Sequence, residues 1–297
     1  MVIAMRQQRT LERPATVRGF GFLTGADITL QFLPADENHG IAFQRTDLAG
    51  SEPVPARLEY VVPRQRRTAI SRRGVTVEMI EHVMAALAGL QIDNCLVQLN
   101  APEPPGGDGS SLHFVAPLLE AGLIEQSAPR DVLVVRGEHR ISGEGDGSEI
   151  AVQSVLRRSL AVTYELDYGP RSPIRPQTLT FEFTPELFVT NLAFARTFVL
   201  EAEAQALKAQ GYGARVTEKD LLIFGSDGVI GNELRAWDEC VRHKVLDCIG
   251  DFALLGCDIH GHFRAYRSGH ALNHSICRMI APLAAQILPH SLQTHAA

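Results

Sequence analysis

No segment of the chain approaches the ~18 consecutive apolar residues that a membrane-spanning helix needs. The opening residues, Met1-Val-Ile-Ala-Met-Arg-Gln-Gln8, lack the apolar core of a secretory leader. A soluble protein is expected. Positive charge is scarce too: 28 Lys and Arg face 34 Asp and Glu, a formal net charge of −6. Without a basic stripe, a general nucleic-acid binder is disfavoured. The basic clusters, Arg64-Gln-Arg-Arg67 and Arg72-Arg73, read as a solvated loop, the alternative being a loop over an anionic diphosphate. Cysteine is sparse and unpaired by spacing. Cys95, Cys240, Cys248, Cys257 and Cys277 form no C-x-x-C and mostly fall in apolar surroundings, as buried free thiols of a reducing cytoplasm would.

What is present is enough apolar residue for packed cores, 45% over 297 residues, a length that suggests two domains. Alternating, β-rich segments are expected at 15–22, 28–33, 41–45, 58–62 and 95–100, with a helix over 76–90 and another over 112–123 capped by Ser110 or Ser111. Residues 125–131 read as a linker, dividing the chain into domains 1–126 and 130–297. Strands are then expected at 132–135, 149–155, 160–166, 177–183 and 260–266, with helices near 185–194, 200–210, 238–255 and 269–288. Strands before helices in each half predict an α+β fold of two α/β sandwiches, each a mostly antiparallel sheet with helices on one side. No residue-level repeat links the halves, but their element order hints at duplication.

The helix over 238–255 places His243 and Asp247 one turn apart on one face, and Asp251 extends the stripe. Val241, Val245, Cys248, Ile249, Phe252 and Leu255 gather opposite. A hydrogen-bonded surface pair would have the same spacing. Metal ligation is the alternative, because imidazole and carboxylate suit Zn²⁺, whose catalytic sites take three protein ligands and leave one position open. A third ligand must then come from elsewhere. In the helix over 76–90, apolar nearly all round and therefore expected to be buried, Glu81 and His82 stand side by side. Burying both without partners would cost on the order of 2–7 kcal/mol each.

Other histidines compete. His39, His139, His290 and His295 fall in expected loops or the tail, and His113 reads as a satisfied surface residue. His260 and His262 share a strand face without a third ligand. Ser268-Gly-His270 puts an imidazole in the first turn of a helix, suited to proton transfer. His270 and His274 could form a metal pair, a reading ranked lower.

Glu81-His82-Val-Met-Ala-Ala-Leu-Ala-Gly-Leu90, Asn100-Ala-Pro-Glu103, Asp108-Gly-Ser110, Ala195-Arg-Thr-Phe198, Val241-Arg-His-Lys-Val-Leu-Asp-Cys-Ile-Gly-Asp251 and Ser268-Gly-His-Ala-Leu-Asn273 resemble the UDP-3-O-acyl-N-acetylglucosamine deacetylases, zinc amidases of lipid A biosynthesis. The matching blocks run in order over nearly the whole chain. The resemblance implies two related α+β domains with the active site between them and inserts near 57–75 and 199–225. It implies His82, His243 and Asp247 as Zn²⁺ ligands and Glu81 as general base. His270 would be the proton donor, Asp251 its orienting carboxylate, and Lys244 and Thr197 the polar transition-state contacts. Phe198, Leu200, Ala204 and Leu207 are the expected substrate-binding residues, the last three forming one apolar face with Glu201 and Gln205 beside it.

The implied partner is an acylated UDP-N-acetylglucosamine, and the implied state a cytoplasmic monomer. Peptidase motifs fail, since the order is not H-E-x-x-H and Glu78 stands where H-x-x-E-H needs histidine. The chain departs from the family at Leu23, usually histidine, and at Val199 and Glu201 in the second insert. A zinc deacetylase of another N-acyl sugar and a non-catalytic glycolipid-binding relative are the rival readings.

Overall fold

A computed structural model describes residues 6–284. His290, His295 and the end of the last expected helix lie outside them. The first half runs β1 (Gln7–Leu11), β2 (Ala15–Phe20), β3 (Asp27–Pro34), β4 (Ile41–Arg45), β5 (Val54–Pro55), β6 (Val61–Val62), β7 (Ala69–Arg72), β8 (Val75–Glu78), α1 (Glu81–Gly89), β9 (Cys95–Leu99), α2 (Leu112–Ala121) and β10 (Leu123–Pro129). The second runs β11 (Val132–Val134), β12 (Glu138–Ser142), β13 (Glu149–Gln153), β14 (Leu160–Leu166), β15 (Gln177–Glu182), α3 (Pro185–Asn191), β16 (Phe198–Leu200), α4 (Glu201–Ala209), β17 (Leu222–Gly225), β18 (Gly228–Val229), α5 (Glu239–Phe252), β19 (Asp258–Tyr266) and α6 (His270–Ala284).

The two main sheets repeat one plan. The first is ordered β2-β3-β9-β4-β5, and the second carries β12-β13-β19-β14-β15 with β11 added alongside β19. In each, the last strand to enter is central, antiparallel to one neighbour (β3 or β13) and parallel to the other (β4 or β14). Both sheets are mostly antiparallel, as expected, with parallel pairings at the centre, because long crossovers separate β4 from β9 and β14 from β19 and can deliver parallel neighbours. The α+β architecture and the duplication hinted at by element order are both present.

Three local expectations change. Residues 76–78 are strand, not helix: β-branched Val75, Thr76 and Val77 favour extended backbone, and Arg73 (φ 49) and Gly74 (φ 81) make the tight turn that pairs β8 with β7. Met79, at φ 56, then redirects the chain so that α1 begins at Glu81. Residues 58–60 form a 3₁₀ turn before β6. The expected linker is a strand, since β10 pairs antiparallel with β1 from Leu11↔Leu123 to Gln7↔Pro129.

The halves share one buried core, and α1 packs on α5 at its centre. Gly250 permits the contact: a Cβ there would sit 2.1 Å from the Glu81 carbonyl oxygen. At the other end of the seam, Arg6 pairs with Asp93 of the first half (2.6 Å) and Asp258 of the second (2.8 Å), and Arg130 repeats the bridge at 3.0 and 3.4 Å. These contacts hold the first turn of α1 against the polar stripe of α5. Around that meeting point sit two smaller sheets, β6-β7-β8 and β16-β17-β18, which occupy the expected inserts.

Candidate metal and acid–base centre

Glu81 and His82 occupy the first turn of α1, while His243, Asp247 and Asp251 descend α5 at one-turn steps. All five are buried. His82, His243 and Asp247 converge, with one ligand atom from each lying within 4.8 Å of the others, and this is the single such group among the described residues. Asp247 Oδ1 is the telling atom. It is buried without a hydrogen-bond partner, yet lies 3.5 Å from His82 Nε2 and 3.4 Å from His243 Nε2. Four-coordinate bonds of about 2.0–2.1 Å would give ligand–ligand edges of roughly 3.3–3.4 Å. The donor set fits a tetrahedral ion of the zinc type.

The surroundings prepare each donor. His243 Nδ1–H donates to the Ala195 carbonyl at 3.1 Å, directing the Nε2 lone pair toward the site. Burial, reinforced by the neighbouring cations, pushes its pKa down to about 4 although Asp247 opposes the shift, so the ring is a neutral ligand. Asp247 would be raised by burial, but His243 and Lys244 hold it well below the usual carboxylate range. Lys244 Nζ donates to Asp247 Oδ2 at 2.7 Å and its pKa is raised well above normal despite its own burial.

The motif Ala195–Phe198 uses every residue. Arg196 and Glu239 form a buried ion pair at 2.8 Å that anchors the segment to the start of α5. Thr197 Oγ1 donates to the Gly109 carbonyl at 3.0 Å and lies 3.3 Å from His243 Nε2. Phe198 presents its ring edge-on to His243 at 6.0 Å.

A buried carboxylate and a buried imidazole border this group. Glu81 Oε2 accepts from the Thr68 backbone N–H at 3.0 Å, and Oε1 stands 4.0 Å from His270 Nε2. Burial raises the Glu81 pKa, partly offset by His270 and His82. His270 would be lowered by burial, but Asp251, at 2.7 Å from Nδ1, followed by Asp247 and Glu81, pushes it up to about 9. Asp251 itself stays ionised, far below the usual range, because both nearby imidazoles outweigh its burial.

The expected acyl-binding residues do not join this cluster as a set. Leu200 packs against the main core, while Ala204 packs against the small group of Phe22, Leu221 and Ile223. Leu207 is 36% exposed, and α4 buries none of its side chains. Gln205 donates to Glu201 at 3.3 Å on the exposed face.

Other histidines sort by environment. His39 is exposed in a turn, whereas His139 lies in β12 rather than a loop. His262 bonds Thr163 at 2.8 Å, and neither it nor His260 belongs to a ligand group. His113 is not a satisfied surface residue: its Nδ1 is buried without a partner and burial pushes its pKa down to about 4. Leu23 acts through its backbone, donating with Thr24 to the buried Glu103 carboxylate at 2.7–3.1 Å.

The model of the UDP-3-O-acyl N-acetylglycosamine deacetylase family matches residues 8–282. The chain belongs to that family. A UDP-3-O-acyl-N-acetylglucosamine deacetylase of Myxococcus xanthus is 37% identical over 285 residues, 95% of this chain and 89% of its own. The deacetylase of Chromohalobacter salexigens is 39% identical over 93% of this chain and 90% of its own, and that of Neisseria gonorrhoeae 35% over 92% and 89%. Within this family member, sequence reasoning missed Thr68, whose hydroxyl lies 2.5 Å from Asp251 Oδ1. No local pattern marked it, because only folding of the β6–β7 connection brings it to α5. It also left Gly250 and Asn273 without roles, though both stand inside conspicuous motifs.

Proposed function

We propose that the chain hydrolyses the N-acetyl group of UDP-3-O-acyl-N-acetylglucosamine, releasing acetate at the committed step of lipid A biosynthesis, with Zn²⁺ as its metal. The observation that carries the reading is the unpartnered Asp247 Oδ1 between two imidazole nitrogens, bordered by a buried carboxylate and a charged histidine. Held by His82 Nε2, His243 Nε2 and Asp247 Oδ1, the ion would polarise the acetyl carbonyl and lower the pKa of a water toward about 7.

The chain's own groups supply the rest. Glu81 Oε1, on the cleft side of α1, takes the attacking water's proton, its other oxygen being fixed by Thr68 N–H. To stabilise the developing oxyanion, the Thr197 hydroxyl would turn its one hydrogen from the Gly109 carbonyl to the substrate oxygen, and the Lys244 ammonium would add positive charge beside it. Departure of an amine requires a proton at nitrogen. His270 carries it on Nε2, because Asp251 engages Nδ1 and keeps the ring charged.

Phe198, Leu200, Ala204 and Leu207 are assigned to the acyl chain, a reading supported by α4 having no fully buried side chain and by the exposure of Leu207. Cytoplasmic action of a monomer belongs to the same reading. No helix among the described residues is long and apolar enough to cross a membrane, and the five cysteines are free. The test is metal analysis together with turnover of 3-O-acylated UDP-N-acetylglucosamine. One zinc per chain and acetate release are expected; a metal-free protein that added Zn²⁺ does not activate overturns the reading.

A further inference from the structure

Asp251 is held from both sides. Its Oδ2 accepts from His270 Nδ1 at 2.7 Å and from Asn273 Nδ2 at 2.8 Å. Its Oδ1 accepts from the Thr68 hydroxyl at 2.5 Å and lies 3.2 Å from His274 Nε2. The mechanism above gives His274 nothing to do. Yet this imidazole, one turn beyond His270 on α6, is 6% exposed and lies nearly parallel to the His270 ring at 6.3 Å. It belongs to no metal-ligand group.

The protons can be assigned. Thr68 has one hydroxyl hydrogen, and the short contact to Asp251 Oδ1 takes it. The lone pairs of Thr68 Oγ1 are then what faces His274 Nε2 at 3.1 Å and His270 Nδ1 at 3.3 Å. His274 Nε2 is therefore surrounded by acceptors, a carboxylate oxygen and a hydroxyl lone pair, and must carry hydrogen. A carboxylate torsion is broad and roughly two-fold, so one bonded oxygen alone would leave the Asp251 plane loosely set. Two donors meet each oxygen, and without His274 the remaining partner of Oδ1 would be the Thr68 hydroxyl, whose hydrogen can rotate away.

We propose that His274 is a positioning residue: its Nε2–H, together with Thr68, locks the plane of the Asp251 carboxylate so that His270 is held by Nδ1 and aims Nε2 at the substrate. The catalytic consequence rests on the deacetylase reading, while the geometric claim does not. Other charged groups that face His270 are Glu81 and Asp247. Their placement does not depend on His274.

The test compares His274→Phe, which keeps a ring but removes the donor, with His274→Gln, which restores a donor at similar reach, in the full-length zinc-loaded protein. In His274→Phe, kcat should fall about tenfold, the usual cost of losing an outer hydrogen-bond partner, with KM and zinc content unchanged; His274→Gln should recover most of the loss. Proton NMR supplies a second readout, because the low-field resonance of the His270 Nδ1–H bonded to Asp251 should persist in wild type and His274→Gln and broaden or vanish in His274→Phe. An unchanged kcat and resonance in His274→Phe overturn the proposal, as does a loss that appears in KM or zinc content instead. If wild type turns nothing over, the deacetylase reading falls and the resonance alone decides the role of His274. Should His274→Phe fail to fold, His274→Met removes the same donor with a flexible apolar side chain in its place; a resonance undisturbed there overturns the proposal.

Discussion

The two halves share a strand order but not a chemistry. Helix α1 is nine residues long, apolar nearly throughout, and polar only at Glu81 and His82 in its first turn. Helix α5, its counterpart, is fourteen residues long and carries His243, Asp247 and Asp251 along three turns. A second contrast is sharper still. The first turns of α2 and α6 each hold a histidine, the half-buried His113 and the buried His270. Burial pushes His113 down to about 4 with Asp108 3.8 Å away, whereas Asp251 at 2.7 Å pushes His270 up to about 9. Desolvation acts alike on both rings, so the closeness of a committed carboxylate decides which becomes an acid. The two halves offer similar scaffolds, and α5 places two aspartates on one of them.

The largest break of this asymmetry should come from α5. Asp247→Ala removes a proposed metal ligand and leaves the mostly covered Lys244 ammonium unpaired, a change costing on the order of 3–5 kcal/mol where a buried pair loses one partner. Zinc content and turnover should both collapse and the melting temperature should fall; Asp247→Ala that retains zinc would remove Asp247 from the ligand set. His82→Ala, on α1, should also lose zinc with a smaller loss of stability, since no buried cation is orphaned.

Glu81→Gln tests the other helix. Zinc should stay, and turnover should drop on the order of 10²–10⁴-fold, the usual worth of a positioned base. Full activity with zinc bound would move the base elsewhere.

The contrast between the two histidines predicts a pH dependence. A raised pKa means that His270 is charged below about 9, so turnover should fall as pH rises through it, and should fall again toward acid pH as Glu81, itself raised by burial, takes up a proton. Asp251→Asn removes the cause, and its basic limb should move to lower pH; a limb that does not move would sever the Asp251–His270 link. His113→Asn should leave the profile untouched.

The smallest effect concerns the insert of the second half. If α4 borders the acyl chain, each buried methylene should add roughly 0.8 kcal/mol of binding until the passage is full. Leu200→Trp should shorten the preferred chain and Glu201→Met lengthen it, as read by KM across a chain-length series. Identical preferences in both variants would place the acyl group elsewhere.

Periodicity by itself determined a good deal. The stripe of α5 was visible because helical spacing is regular, so residues four apart must share a face. Glu81 and His82 stood out because an apolar helix makes any polar neighbour costly. Block resemblance then joined helices more than 150 residues apart, which no local pattern could do. Folding alone decided the rest. The segment 76–78 looked helical until the Arg73-Gly74 turn made it part of a hairpin strand, and 125–129 looked like a linker until β1 offered an edge to pair with. Thr68 and His274 gained meaning only when the β6–β7 connection and α6 closed over Asp251. Spacing along one element is set by backbone geometry and can be read from residue order. Contacts between elements depend on how whole surfaces pack, and that is settled in three dimensions.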